Sequence, residues 1–135
     1  MTAIVVDASV AVAWRLREDD GALYADAVIH KLADREGIVP SLFWAEIVNV
    51  LIVAERRGRI DSAGAKRHLG RLGKLGLKSD HSQNHDEVLA LARRRLLSGY
   101  DAFYLETAKR EGAKLATLDK ALADAAKAEG VALNV

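Results

Sequence analysis

The chain has 135 residues and a formal net charge of +1, half of its residues are hydrophobic, and it contains no cysteine. This length predicts a single domain over residues 1–135, and the missing cysteine excludes disulfides, thiolate nucleophiles and cysteine-ligated metal centres. No apolar run approaches the ~18 residues that span a bilayer, and the start of the chain lacks the basic segment and cleavage site of a signal peptide. We therefore expect a cytoplasmic protein with no membrane association.

Short β-branched runs alternate with longer helical patterns along the chain. The predicted strands are Ala3–Val6, Ile38–Val39, a run around Leu77, Lys114–Thr117 and Val131–Val135. The predicted helices are Val10–Arg17, Ala22–Asp34, Leu42–Arg57, Asp61–Leu75, Asp86–Leu97, Ala102–Glu111 and Leu122–Ala128. Strands joined by helices favour right-handed crossovers and a parallel sheet. We expect a three-layer α/β/α fold with a central parallel sheet of four to five strands and helices on both faces.

The basic charge is concentrated in one segment. Residues 56–78 contain eight Lys and Arg side chains against the single acid Asp61, so this segment carries a net +7 and the rest of the chain −6. Within it, Arg67 and Arg71 share a helical face, with Lys66 beside them. One interpretation is a basic binding face; the other is a solvated helix pair, which is favoured when the charge is considered alone.

Three aspartates stand where predicted elements meet. Asp7 directly follows the first strand, Asp119 follows the strand that ends at Thr117, and Asp101 opens a helix. Ligands of parallel sheets bind outside the carboxyl ends of the strands, so Asp7 and Asp119 should share that edge. The alternative for each is structural, because Asp is a favoured helix N-cap and such turns need caps.

Glu46 is harder to explain as a structural residue. In its apolar helix it shares a side with Phe43, Val50 and Val53, next to Asn49, when the residues are placed at helical spacing. A carboxylate on a largely buried stripe is costly unless it is paired or coordinates a metal, and it cannot cap a helix from its second turn. We therefore interpret this glutamate as functional, with a solvent-exposed helix side as the alternative.

Four carboxylates that converge on one sheet edge would need a neutralising cation. They would repel one another and raise their pKa values without one. Hard oxygen donors, with no cysteine and no clustered histidine, suit Mg²⁺ or Mn²⁺. Such ions catalyse displacement at phosphorus by activating a water and holding the leaving oxygen. In this interpretation the +7 segment holds a polyanionic backbone beside the acidic centre.

These residues resemble the PIN-domain signature in order and approximate spacing. The matching motifs are Asp7-Ala8-Ser9, Glu46-Ile47-Val48-Asn49, Tyr100-Asp101-Ala102 and Thr117-Leu118-Asp119. The resemblance covers essentially the whole chain, and the short length is similar to that of the VapC toxins of bacterial and archaeal toxin–antitoxin pairs. It implies a PIN-like fold and a Mg²⁺- or Mn²⁺-dependent endoribonuclease, usually a homodimer, held inactive by a cognate VapB-like antitoxin.

The resemblance also assigns roles position by position. The catalytic and metal-binding acids would be Asp7, Glu46, Asp101 and Asp119. The supporting polar positions would be Ser9, Asn49 and Thr117. The charge pattern adds three candidate RNA-binding residues, which are Lys66, Arg67 and Arg71.

Two other functions remain open. One is a non-catalytic module of the same fold that binds nucleic acid or a partner, although concentrated negative charge would not help a binder where RNA approaches. The other is an aspartate-based phosphoryl-transfer domain, which would need a second acid two residues after Asp7, where Ser9 stands. The sequence does not indicate which RNA would be cut.

Overall fold

The computed structural model describes residues 2–16 and 19–135, within which it contains four strands and seven helices. The strands are β1 (Ile4–Val6), β2 (Gly37–Pro40), β3 (Lys78–Asp80) and β4 (Lys114–Ala116). The helices are α1 (Ala8–Leu16), α2 (Asp20–Lys31), α3 (Leu42–Arg56), α4 (Ser62–Gly73), α5 (His85–Arg95), α6 (Gly99–Arg110) and α7 (Lys120–Ala128). Arg17, the predicted end of the first helix, lies outside the described residues.

The sheet is parallel throughout, in the order β3-β2-β1-β4. In the central strand β1, Val5 stands opposite Ile38 on one side and Leu115 on the other. All three β1 residues are fully buried, as expected for an apolar run covered on both faces of a sheet. The predicted α/β/α architecture with a parallel sheet is confirmed, with four strands.

Helix packing determines which ends of the helices meet. Helix α6 packs against β1, β2 and β4, α3 packs against β2, and α7 packs against β4. Because α6 ends four residues before β4 begins, it runs back across the sheet from the carboxyl edge of the strands. The first turns of α1, α6 and α7 therefore begin at this one edge, where β1 and β4 also end.

The strand predicted at the carboxyl terminus is too long. The predicted strand Val131–Val135 forms a single parallel bridge, between Leu115 and Ala132. Hydrogen bonds from the Leu115 N–H to the Val131 carbonyl and from the Leu133 N–H to the Leu115 carbonyl flank it. The neighbouring strand β4 has only three residues, and residues 134–135 are exposed. Further pairing at this end would therefore bury little additional side-chain surface.

Other elements begin a few residues away from their predicted positions. Strand β3 was expected around Leu77 but begins at Lys78, because it is a polar strand at the sheet edge and hydrophobicity does not mark it. Helix α6 begins at Gly99 rather than Ala102, because Ser98 supplies the cap. Gly58 follows Arg57, the C-cap of α3, and lies in the left-handed region with φ of +71°, as is typical of a glycine at this position after a helix. Within the described ranges, no helix is both long and apolar enough to cross a membrane.

Candidate active site

Asp7 is fixed at the point where β1 becomes α1. Its N–H donates to the Ala116 carbonyl at 3.0 Å, which continues the pairing of β1 with β4 and places Thr117 beside it. Its side chain is buried, and one oxygen, Oδ2, accepts hydrogen bonds from Ser9 Oγ at 2.6 Å and Thr117 Oγ1 at 2.7 Å. The predicted supporting residues Ser9 and Thr117 therefore do contact this aspartate.

The same two hydroxyls hold the loop that carries Asp119. Ser9 Oγ accepts from the Leu118 N–H at 3.0 Å, and Thr117 Oγ1 accepts from the Asp119 N–H at 3.0 Å. Asp119 is also the N-cap of α7, since its Oδ1 accepts from the Leu122 N–H at 2.8 Å. The capping interpretation is therefore correct for Asp119, although Oδ2 of this exposed side chain accepts no hydrogen bond within the described residues.

Asp101 lies in the first turn of α6 and does not cap it. The cap is Ser98, whose Oγ accepts a hydrogen bond from the Asp101 N–H at 3.1 Å. The prediction that Asp101 caps the helix is therefore wrong, because a residue three positions earlier already satisfies the helix end. The half-buried carboxylate is left to face the same edge of the sheet as Asp7.

Glu46 lies at the border of the buried face of α3 rather than on it. The buried residues of this helix are Phe43, Ile47, Leu51 and Ala54, whereas Glu46 is half-buried, which corrects the predicted stripe. Its partner is a neutral group: the hydroxyl of Tyr104, which is fully buried, donates to Glu46 Oε1 at 2.6 Å. Within residues 2–16 and 19–135, Oε2 accepts no hydrogen bond and can face a ligand.

The four acids interact electrostatically. Burial raises the pKa of Asp7, and Asp119 raises it further, against the hydrogen bonds from Ser9 and Thr117. Burial also raises the pKa of Glu46, with added contributions from Asp7 and Asp101, and opposed by the Tyr104 hydrogen bond. Burial raises the pKa of Asp101 as well, again with contributions from Asp119 and Asp7. Each of the four carboxylates therefore lies within electrostatic reach of at least one other.

The donor set fits a hard divalent cation by its chemistry. Across residues 2–16 and 19–135, none of the four carboxylates forms an ion pair with Lys, Arg or His. In these same ranges, no three acidic or histidine side chains are placed so that they could hold one ion together. A bound cation would neutralise the repulsion among these carboxylates, which adds to burial in raising their pKa values.

The remaining predicted residues lie outside this cluster. Asn49 is exposed on α3 and borders a cavity together with Glu46. Lys66, Arg67 and Arg71 are exposed on α4 and border a shallow surface cavity of about 490 Å³. These three basic residues therefore form an open cationic surface, separate from the acids.

Sequence reasoning missed two tyrosines that support the site. Tyr104 follows Asp101 by three residues, so the two share a helix face, and this spacing was the available signal. Tyr24 on α2 reaches Thr117: burial raises its pKa, Asp7 raises it further, and a hydrogen bond from the Thr117 backbone opposes the rise. No feature of the sequence around Tyr24 indicated this contact.

The raised pKa values predict how metal-free stability depends on pH. When the pKa of an acid is higher in the folded chain than in the unfolded chain, the free energy of unfolding falls as the pH rises from the unfolded-state pKa through the folded-state pKa. We expect Asp101→Asn, without divalent cations, to gain stability relative to the wild type as the pH rises above about 4, the usual pKa of an aspartate. Urea denaturation in EDTA at several pH values measures this, and a stability difference that does not change with pH would contradict it.

Comparisons with known proteins agree with this architecture. A family model described as the PIN domain matches residues 4–128. PAE2754 from Pyrobaculum aerophilum has 31% sequence identity and a TM-score of 0.72, over 92% of this chain and 79% of that chain. A chain of a toxin–antitoxin complex from Klebsiella pneumoniae has 16% identity and a TM-score of 0.61, over 87% of each chain, which shows the fold alone.

None of the curated protein sequences compared with this chain matches it significantly. The family assignment therefore depends on the match over residues 4–128 and on the structural relative with 31% identity. The chain belongs to the PIN domain family.

Proposed function

We propose that this chain is a metal-dependent endoribonuclease that hydrolyses RNA phosphodiester bonds, and that it is the toxin of a type II, VapBC-like toxin–antitoxin pair. The observation that supports this best is a set of four carboxylates at the carboxyl edge of a PIN fold, each interacting with at least one other and none paired with a basic side chain in the described part of the chain. PIN domains are in general nucleases that use divalent metals. Such a cluster is costly to maintain unless a cation neutralises it.

The residues proposed to hold Mg²⁺, or Mn²⁺ in its place, are Asp7, Glu46, Asp101 and Asp119. A bound ion of this kind would supply an activated water and neutralise charge at the scissile phosphate. The Ser9 and Thr117 hydroxyls hold Oδ2 of Asp7 in place. Because the Tyr104 hydroxyl occupies Glu46 Oε1, Oε2 is the atom that would contact the ion or orient its water.

The toxin assignment rests on the likeness to a chain of a toxin–antitoxin complex and on the VapC-like motifs. In this proposal a VapB-like antitoxin covers the acidic site and keeps it inactive, the toxin forms a homodimer, and both act in the cytoplasm. Co-expression tests it directly. The chain alone should arrest growth of a bacterial host, and the adjacent small reading frame of its source genome should relieve the arrest.

Cleavage of a mixed RNA pool by the purified, antitoxin-free chain tests the activity. We expect cleavage in Mg²⁺ and Mn²⁺, none in EDTA, and none of single-stranded DNA with the same sequences. A folded chain that binds the pool but cleaves it in neither metal would overturn the enzymatic proposal. It would favour the non-catalytic binding module instead.

The cationic surface of α4 gives a prediction about RNA binding. If Lys66, Arg67 and Arg71 contact the RNA backbone, replacing all three with Gln should weaken binding and lower the slope of log affinity against log salt by about 2. Titration of labelled RNA in Ca²⁺ at several salt concentrations measures both quantities.

A matched variant controls for the loss of net charge. Lys31, Arg93 and Lys127 lie on other helices and form no ion pair within the described part of the chain. Replacing these three with Gln removes the same total charge, and we expect most of the RNA affinity and the salt slope to be retained. Equal slopes in the two triple variants would contradict a role for α4 in binding RNA.

A further inference from the structure

A small cavity adjoins the acidic cluster and is not used by the proposed chemistry. It has a volume of about 340 Å³ and is bordered by Leu42, Ala45, Glu46 and Asn49 of α3 and by Tyr100 of α6. The α3 residues at positions 42, 45, 46 and 49 recur at helical spacing, so they form one continuous wall. Because Glu46 belongs both to this wall and to the acidic cluster, the two sites are contiguous.

Tyr100 contributes the aromatic side chain that borders the cavity. It is 68% exposed, although it is a large aromatic residue, and it directly precedes Asp101. Its backbone is fixed in the first turn of α6 by the Ser98 cap. An exposed aromatic ring, carried by a fixed stretch of helix beside a proposed phosphate-cleaving centre, is well suited to stack on an unpaired base.

The other groups of the cavity favour a base over a phosphate. The wall carries the apolar side chains of Leu42 and Ala45, and its one charged group, Glu46, would repel a phosphate. The Asn49 amide offers both a donor and an acceptor, as the edge of a base requires. A volume near 340 Å³ lies at the lower end of the ~300–1,000 Å³ typical of ligand pockets, which suits one base.

We propose that this cavity is a nucleobase subsite: Tyr100 stacks on a base of single-stranded RNA next to the scissile phosphate, and Asn49 hydrogen-bonds to the edge of that base. The proposal rests on the proposed ribonuclease function and adds to it a requirement for an unpaired base at one fixed position. Double-stranded RNA, whose bases are stacked and paired, would not fill this subsite.

Binding of RNA hexamers in Ca²⁺ tests the subsite without turnover. The probes are the A, C and U hexanucleotides and an abasic ribose-phosphate hexamer of equal charge. The wild type should bind the normal hexamers at least about tenfold more tightly than the abasic one. Tyr100→Leu, which keeps an apolar side chain, should lose most of this preference, whereas Tyr100→Phe should retain it and Asn49→Leu should change the ranking among the three bases.

Leu23→Ala is the matched control, because Leu23 on α2 is 69% exposed and lies outside the cavity. It should leave the base preference unchanged. In the cleavage assay, Tyr100→Leu should raise KM with little change in kcat. Equal preference for normal over abasic hexamers in wild type and Tyr100→Leu would overturn the subsite.

The outcomes separate this proposal from the enzymatic one. A wild type that cleaves RNA but shows no base preference overturns the subsite alone, whereas one that shows the preference but never cleaves overturns the enzymatic proposal alone. If Tyr100→Leu instead weakens self-association in sedimentation and leaves RNA binding unchanged, the face is an interface between copies of the chain. That result also overturns the subsite.

Discussion

Asp7→Asn and Asp101→Asn are each expected to lower metal-dependent RNA cleavage by about 100-fold or more while the chain stays folded. Each change removes one negative ligand from the proposed metal site and keeps the shape of the side chain. In EDTA near neutral pH, both variants should be at least as stable as the wild type. The reason is that burial and neighbouring acids already disfavour the charged form of each group.

The hydrogen bonds around Asp7 explain why its variant should fold. Ser9 and Thr117 both donate to the same oxygen, Oδ2. An Asn carbonyl oxygen in that place accepts both bonds, so neither hydroxyl loses its partner. In Asp101→Asn the helix cap is untouched, because Ser98 supplies it.

Single-turnover cleavage of the RNA pool and urea denaturation are the two measurements. The control is Asp34→Asn, an exposed aspartate outside the described helices and strands, which should leave both rate and stability unchanged. Mg²⁺ should stabilise the wild type and the control, and the two site variants much less. Full Mg²⁺-dependent activity in either site variant would refute the assignment of its residue to the site.

The topology explains why three of the acids could be expected together from the sequence. Asp7 and Asp119 follow parallel strands, and the carboxyl ends of parallel strands meet at one edge of the sheet. Asp101 opens a helix that must run back across the sheet to reach β4. The positions of these three acids follow from the order in which strands and helices are connected. Hydrophobic periodicity and turn signals in the sequence reveal that order.

What the sequence did not reveal depends on how helices pack against one another. The contact between Tyr104 and Glu46 joins α3 to α6, and their separation along the chain carries no information about it. The burial of Glu46 was overestimated for a similar reason, since periodicity defines a helix face but not how far a neighbouring element covers it. Ser98 and Asp101 are three positions apart and both are favoured N-cap residues, so the sequence alone did not show that the helix begins after Ser98.

Glu46→Gln is expected to lower the cleavage rate by about 100-fold or more and to change the free energy of unfolding little. The amide oxygen of Gln can accept the Tyr104 hydrogen bond in place of Oε1, and among residues 2–16 and 19–135 Glu46 has no basic partner that the change would leave unpaired. Neutralising a glutamate that was paired with a buried cation would instead be strongly destabilising. A variant that unfolds readily while each folded molecule stays active would therefore contradict a functional role for Glu46.

Tyr104→Phe tests whether the hydroxyl positions Glu46. The ring keeps its packing, but Glu46 loses the hydrogen bond that holds Oε1 and that lowers its pKa. We expect a loss of about tenfold in kcat, as for other residues that orient a metal ligand, and an acidic limb of the pH–rate profile that moves to higher pH. The shift in the profile distinguishes positioning from a general loss of stability, which would lower the rate without moving the limb.

The double variant Glu46→Gln, Tyr104→Phe shows whether the two residues act as one unit. If Tyr104 contributes to catalysis only through Glu46, its hydroxyl has no further role once the carboxylate is gone. The double variant should then cleave RNA no more slowly than Glu46→Gln alone, because the effects of coupled residues do not add. Additive losses would mean that Tyr104 acts on the reaction by a route other than Glu46.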